Sequence, residues 1–168
     1  MLEVAIVSDT HLPRGAREIP DACLERCADA DAILHAGDLI ALEVLEQLRA
    51  LGPPVHAVHG NVDRPEVVAA LPATLELDLG EVRVGMVHDA GAAAGRLERL
   101  RRRFPICDVV VFGHSHIPLH ESDGAPGSTV FQIFNPGSPT DRRRQPRHTM
   151  GVARIDGSEV HLAHVVVA

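Results

Sequence analysis

Ser8-Asp9-Thr10-His11 closes the apolar run Leu2 to Val7, and Ala36-Gly37-Asp38 closes the run Ala30 to His35. The same kind of ending recurs three more times. Gly60-Asn61-Val62-Asp63 follows Val55 to His59, His88-Asp89 follows Val82 to Val87, and Gly113-His114-Ser115-His116 follows Asp108 to Phe112. Short apolar runs rich in β-branched residues and bounded by turn residues read as buried strands. Each of these strands therefore delivers a metal-capable side chain at its carboxyl end, where ligands gather in open α/β sheets. A glycine ahead of the polar residue lets the backbone turn sharply or approach a ligand closely.

The segments between the first three runs have helical character. Pro20 to Ala28 reads as a short helix opened by proline. Ala41 to Leu51 places Leu42, Leu45 and Leu48 at helical spacing and is stopped by Gly52-Pro53-Pro54. Strand–helix–strand–helix–strand order favours a parallel sheet. Further on, Thr74 to Leu79 and Val82 to Val87 flank Gly80 as a hairpin. Gly95 to Arg103 is helical, with Leu97 and Leu100 facing inward. Ile117 to Glu121, Thr129 to Phe134, Met150 to Ile155 and Glu159 to Val167 are further strands. The mixture predicts an α/β protein of two packed sheets with helices outside, one domain over residues 1–168.

Composition narrows the function. Apolar residues make up 45% of the chain and charged residues 23%, which is globular rather than disordered. No apolar run is long enough for a membrane helix, and the N-terminus shows no basic leader. Cys23, Cys27 and Cys107 form no disulfide framework, so a reducing cytoplasm is the expected location. Cys23 and Cys27 stand one helical turn apart and read as buried thiols rather than a zinc site. A net charge of −7 with no Trp or Tyr argues against general nucleic-acid binding. No membrane partner is expected, and the edges of the terminal strands leave homo-oligomerisation open.

The strand endings hold Asp, His and Asn without Cys. Such an oxygen and nitrogen set suits Mn²⁺, Fe, Co²⁺, Ni²⁺ or Zn²⁺. On extended backbone, Asp9 and His11 point to one face and can reach one ion, as can His114 and His116. A carboxylate such as Asp38 can bridge two cations. Two metals about 3.5–4 Å apart can share a hydroxide and clamp a phosphoryl group.

In order and spacing, Asp9-x-His11, Gly37-Asp38, Gly60-Asn61-x-Asp63, His88 and Gly113-His114-x-His116 resemble the calcineurin-like metallophosphoesterases, and within them the small prokaryotic phosphodiesterases. Asn135-Pro136-Gly137-Ser138-Pro139 matches a further element of that subgroup. The resemblance implies a four-layer αββα sandwich with two mixed β-sheets flanked by helices. It also implies two divalent metal ions: one on Asp9, His11, Asp38 and His116, the other on Asp38, Asn61, His88 and His114. Asp38, Asn61 and His88 would then stand at the reacting centre, with hydrolysis by a metal-bridging hydroxide. A phosphodiesterase is expected before a monoesterase, with a small phosphoester, including the nucleotide type, as the partner the resemblance implies. The alternative is a protein-interaction scaffold, since the superfamily includes a trafficking-complex subunit that serves mainly as a binding platform; such members tend to lose ligands, and this chain keeps all seven.

Two positions depart from the family pattern. Many relatives carry His after the Asn, where Val62 stands; valine has no proton to give a leaving group, although the small phosphodiesterases commonly lack that His. Asp89 replaces the usual glycine after His88 and either orients that ligand or repels an anionic substrate. Arg14 is a candidate phosphate contact, as is Asn61, which reads equally as a turn residue. Asp63 supports the ligands or is a solvated turn carboxylate. Asn135 and Ser138 line the rim or form a turn. His35 and His59 read as structural histidines. Arg99, Arg101, Arg102 and Arg103 read as a solvated helix end, and Arg142, Arg143, Arg144 and Arg147 read either as solvated charges or as a loop basic enough to guide a polyanion.

Overall fold

Alternation along the strands decides which faces are covered. In β1 (Leu2–Val7), Val4 and Ile6 turn to one side while Ala5 and Val7 turn to the other, and all four are buried. A strand apolar on both faces needs a layer on each side. The computed structural model describes residues 1–124 and 130–168 and supplies both layers.

The first sheet contains β1, β2 (Ala32–His35), β3 (Val55–Ala57), β9 (Thr149–Asp156) and β10 (Glu159–Val166), in the order β10-β9-β1-β2-β3. β1, β2 and β3 run parallel, and β9 and β10 are antiparallel additions. The second sheet contains β4 (Thr74–Leu79), β5 (Val82–Val87), β6 (Val109–Val111), β7 (Leu119–Ser122) and β8 (Gln132–Asn135), in the order β4-β5-β6-β8-β7. Its three central strands are parallel and its edges antiparallel.

Three apolar clusters separate the layers. Val4, Ile6, Ala32 and Leu34 meet Val84, Met86, Val109, Val111 and Phe134 between the sheets. Ala5, Val7 and Ile33 pack against α1 (Asp21–Asp29), α2 (Leu42–Arg49) and α3 (Pro65–Ala70). Val87, Val110, Phe112 and Ile133 pack against α4 (Arg96–Arg103). The result is the expected αββα sandwich with two mixed sheets.

Helix α3 is the element that the sequence reading omits. It has six residues, and only Val67 is buried, which is too little apolar periodicity to register. Pro65 at its first turn marks its start. The expected strand before Phe134 starts at Gln132, and Thr129 lies outside the described residues. Cys23, Cys27 and Cys107 are free and buried. Among the described residues no helix is long and apolar enough to cross a membrane.

Candidate metal centre

The parallel strands of both sheets present their carboxyl ends along one edge of the sandwich. Asp9 and His11 follow β1, Asp38 follows β2, Asn61 follows β3, His88 follows β5, and His114 and His116 follow β6. All seven side chains converge there. Asp9, His11 and His116 form one group able to hold a metal ion, and Asp38, His88 and His114 form another.

The way they converge differs from expectation. Asp9, His11, Asp38, His114 and His116 lie beyond the strand ends and all have left-handed backbone, with φ between 48° and 70°. Asp9 and His11 therefore reach one point by a coiled backbone, not by the alternation of an extended strand. Left-handed backbone in residues other than glycine costs free energy and concentrates at functional sites. Gly60 and Gly113 supply the room. A methyl group at 60 would overlap the Asp38 carboxylate, and one at 113 would overlap the Ser8 hydroxyl.

Each buried aspartate has one oxygen tied and one turned to the centre. Asp9 Oδ2 accepts the Ser8 hydroxyl (2.8 Å) and the His114 N–H, which is bifurcated at 3.0 Å to Oδ2 and 3.2 Å to Oδ1. Asp9 Oδ1 faces His116 Nε2 at 3.4 Å and His11 Nε2 at 3.7 Å. Asp38 Oδ1 accepts the Val62 N–H (3.0 Å), so the residue at 62 contributes its backbone where its side chain cannot. Asp38 Oδ2 lies 3.1 Å from His88 Nε2 and 3.3 Å from His11 Nε2, between the two groups. Asn61 Oδ1 lies 3.1 Å from His88 Nε2 and 2.9 Å from His114 Nδ1.

The far nitrogens fix the rings. His88 Nδ1–H donates to the Ala36 carbonyl (2.7 Å), and His116 Nδ1–H donates to the Asp141 carbonyl. This leaves Nε2 of both rings free to coordinate, the arrangement by which metal-ligating histidines are held. His11 Nε2 and His116 Nε2 are buried with no hydrogen-bond partner. Unpaired buried nitrogens facing carboxylate oxygens call for a cation between them, so the donor set fits divalent metal.

Protonation reflects the same crowding. Burial opposes a charge on His11, but the neighbouring Asp38 and Asp9 carboxylates outweigh it and raise its pKa to about 9. Burial likewise opposes a charge on His88, and Asp38 and Asp9 still raise its pKa. Burial works against Asp38, yet His11, His88 and the Val62 N–H hold its carboxyl well below the usual carboxylate range. Burial lowers His116, with Arg143 and His11 adding to the effect against Asp9.

Asp63 is a clamp rather than a solvated turn residue. Its Oδ2 accepts the Gly60 N–H (2.6 Å) and the Asp38 N–H (3.1 Å), and its Oδ1 accepts the Ile40 N–H (2.6 Å). One carboxylate thus ties the loop after β3 to the loop after β2. Asn135 Nδ2 donates to the Gly113 carbonyl (2.8 Å), and Ser138 Oγ donates to the Asp9 carbonyl (2.8 Å), so both brace ligand loops. Asp89 is exposed and accepts the Gly91 N–H (2.7 Å), closing a local turn. Arg99, expected on a solvated face, reaches back to the Ala90 carbonyl (2.7 Å) and so fastens the loop after His88. Arg14 is exposed, with its guanidinium 3.9 Å from Asp141. Asp141 escaped the sequence reading. Its carboxylate lies 3.1 Å from Arg17 and 4.0 Å from His11 Nδ1, links that no local pattern reveals.

His35 is the structural histidine expected. It is fully buried, and Nδ1 accepts the Gly37 N–H (3.2 Å), leaving Nε2–H to donate to Thr10 Oγ1 (3.1 Å). Burial pushes its pKa down to about 4, against partial relief from Asp63 and Asp9. Its unfolded value is 6.5, so its contribution is present above that pH and is lost as pH falls toward 4. Over this window the loss is on the order of 3 kcal/mol. Ring ¹⁵N spectra should show a neutral Nε2–H tautomer from pH 8 to about pH 5; a midpoint near 6.5 would contradict the assignment.

Comparison with known proteins gives the family and the fold. The profile of the calcineurin-like phosphoesterase superfamily domain matches residues 2–158. A probable metallophosphoesterase of Methanothermobacter thermautotrophicus is 35% identical over 160 residues, covering 94% of this chain and 88% of the relative. A Thermotoga maritima protein solved by solution NMR superposes with a TM-score of 0.74 at 29% identity, over 99% of both chains. Vps29 of Entamoeba histolytica, solved in complex with zinc, superposes with a TM-score of 0.75 at 23% identity, over 99% of this chain and 100% of that one, a likeness of fold. On the family profile and on the Methanothermobacter relative, the chain belongs to the calcineurin-like phosphoesterase superfamily.

Proposed function

We propose that the chain, as one metallophosphoesterase domain in the cytoplasm, is a dinuclear metal-dependent phosphodiesterase. Asp9, His11, Asp38 and His116 would hold one divalent ion and Asp38, Asn61, His88 and His114 the other, with Mn²⁺, Fe, Co²⁺, Ni²⁺ and Zn²⁺ as candidates. The observation that carries the reading is Asp38 Oδ2, within 3.3 Å of a ring nitrogen from each of the two groups. When bound, the two ions supply Lewis acidity toward the phosphoryl oxygens and acidify a shared water.

The residues of the chain have separate tasks. The Val62 N–H holds the Asp38 carboxylate with Oδ2 turned toward His11 and His88, and Asp63 keeps Asn61 and Asp38 on loops that cannot drift apart. Asn61 is exposed and reaches the substrate as well as the metal position. Arg14 stands at the rim, free to turn toward a phosphoryl oxygen. Val62 is 43% exposed and offers no proton to a departing oxygen. Substrates whose leaving group is already a stable anion are therefore favoured, which selects aryl diesters, and nucleotide diesters that release such an anion, over alkyl monoesters.

The test is metal analysis followed by turnover of an aryl phosphodiester and of the aryl phosphomonoester with the same leaving group, with Mn²⁺. A kcat/KM at least about tenfold higher for the diester is expected, roughly 1.4 kcal/mol of transition-state preference. Preference for the monoester would remove the phosphodiesterase reading. A second reading, a protein-interaction scaffold, draws on the Vps29 likeness. Inactivity of the metal-loaded protein on the whole panel would favour it.

A further inference from the structure

A second set of charges lies beside the His116 side of the centre. The segment from Ser138 to Asp141 is fastened to the loop after β1. Ser138 Oγ and Thr140 Oγ1 donate to the carbonyls of Asp9 and Thr10, and the Asp141 carbonyl accepts from His116. Residues 142 onward therefore start at the rim of the metal centre. They open onto a cavity of about 520 Å³ lined by Arg17, Thr140, Asp141, Arg142, Arg143 and His148. This volume lies within the usual range for small-molecule sites.

The cavity has a strong cationic bias. Arg142, Arg143, Arg144 and Arg147 follow a single aspartate, in a chain whose net charge is −7. Asp141 is committed to Arg17 at 3.1 Å. Among the described residues no carboxylate lies within ion-pair distance of Arg142 or Arg143. The His148 ring lines the same cavity, and burial together with Arg142 and Arg17 lowers its pKa, as a positive environment should. Guanidinium forks match phosphate oxygens in pairs.

We infer that this cavity is an anion subsite, and that the substrate is a phosphodiester carrying a second phosphate, which Arg142 and Arg143 hold while the metal centre takes the scissile ester. This deepens the phosphodiesterase reading and rests on it. A small doubly charged molecule suits the site better than a nucleic acid, because stacking aromatics are nearly absent from the chain.

The test uses two esters that differ only in the second charge: thymidine 5′-(p-nitrophenyl phosphate) and the same ester bearing a 3′-phosphate. For the Mn²⁺-loaded protein, p-nitrophenolate release should show a kcat/KM about tenfold higher for the 3′-phosphorylated ester, mostly through KM. Arg142→Ala/Arg143→Ala should bring the ratio of the two close to one, and Arg142→Lys/Arg143→Lys should keep part of it. Both arginines are exposed, so these variants should fold. Independently of turnover, thymidine 3′,5′-bisphosphate should shift the His148 ring resonances saturably in the Mg²⁺-loaded protein, and not in the double alanine variant. Release from neither ester defeats the phosphodiesterase reading. Release from both with a ratio near one, a ratio untouched by the alanine variant, or an unmoved His148 signal defeats the subsite.

Discussion

Asp38→Asn should lower kcat/KM on an aryl phosphodiester by three orders of magnitude or more, about 4 kcal/mol of lost transition-state stabilisation. The substitution preserves shape. The amide oxygen can still accept the Val62 N–H, as Oδ1 does now. The change falls on the other atom, where an NH₂ replaces Oδ2 and presents hydrogens toward His11 and His88 instead of a negative charge between them. At a point 1% exposed, water cannot replace the missing ligand. Metal analysis should therefore find fewer than two ions per chain. Unchanged turnover with both ions retained would overturn the assignment of the site. A fall in activity with two ions still bound would mean that Asp38 acts on the substrate rather than between the metals.

The order of strands and most of the site are legible in the sequence for a local reason. An apolar run that ends in glycine and a polar residue reports burial, termination and side-chain chemistry within ten residues. That holds for Asp38, Asn61 and His114, while Asp9 and His88 follow their apolar runs without the glycine. Bracing contacts are not legible, because their partners are distant in the chain. Asp63 acts on the backbone of Asp38 and Ile40, and Thr140 on the carbonyl of Thr10. Nothing in the neighbourhood of either residue separates such a role from a polar turn. The left-handed backbone at the ligands is hidden for a related reason. Asp and His tolerate it better than most residues but do not require it, and the surrounding fold imposes it through hydrogen bonds such as Asp9 N–H to the Gly37 carbonyl and His11 N–H to the Asp38 carbonyl, both 3.0 Å. Helix α3 shows the opposite failure, a local element too short for its own pattern.

Divalent metal should stabilise the chelator-treated protein by an amount that reads directly on a melting curve. The folded chain gathers Asp9 and Asp38, both nearly inaccessible, around unpaired nitrogens of His11 and His116. The unfolded chain scatters these groups over more than a hundred residues of sequence. An ion that binds only the gathered set at a thousandfold excess over its Kd adds about 4 kcal/mol per site. For a chain of this length each kcal/mol raises Tm by roughly 2–4 °C, so one filled site should give roughly 8–16 °C. Mn²⁺ or Zn²⁺ should produce such a rise, and Asp38→Asn should retain less than half of it, because both positions lose a ligand. A Tm indifferent to either ion would mean that the gathered side chains do not bind metal under the conditions of the assay, and the dinuclear reading would fall with it. A full rise in Tm without turnover on any phosphoester would keep the metal sites and transfer their purpose from hydrolysis to holding a binding surface in shape. Stability and turnover measured on one metal-loaded sample therefore separate the enzyme from the scaffold, which the seven converging side chains alone do not.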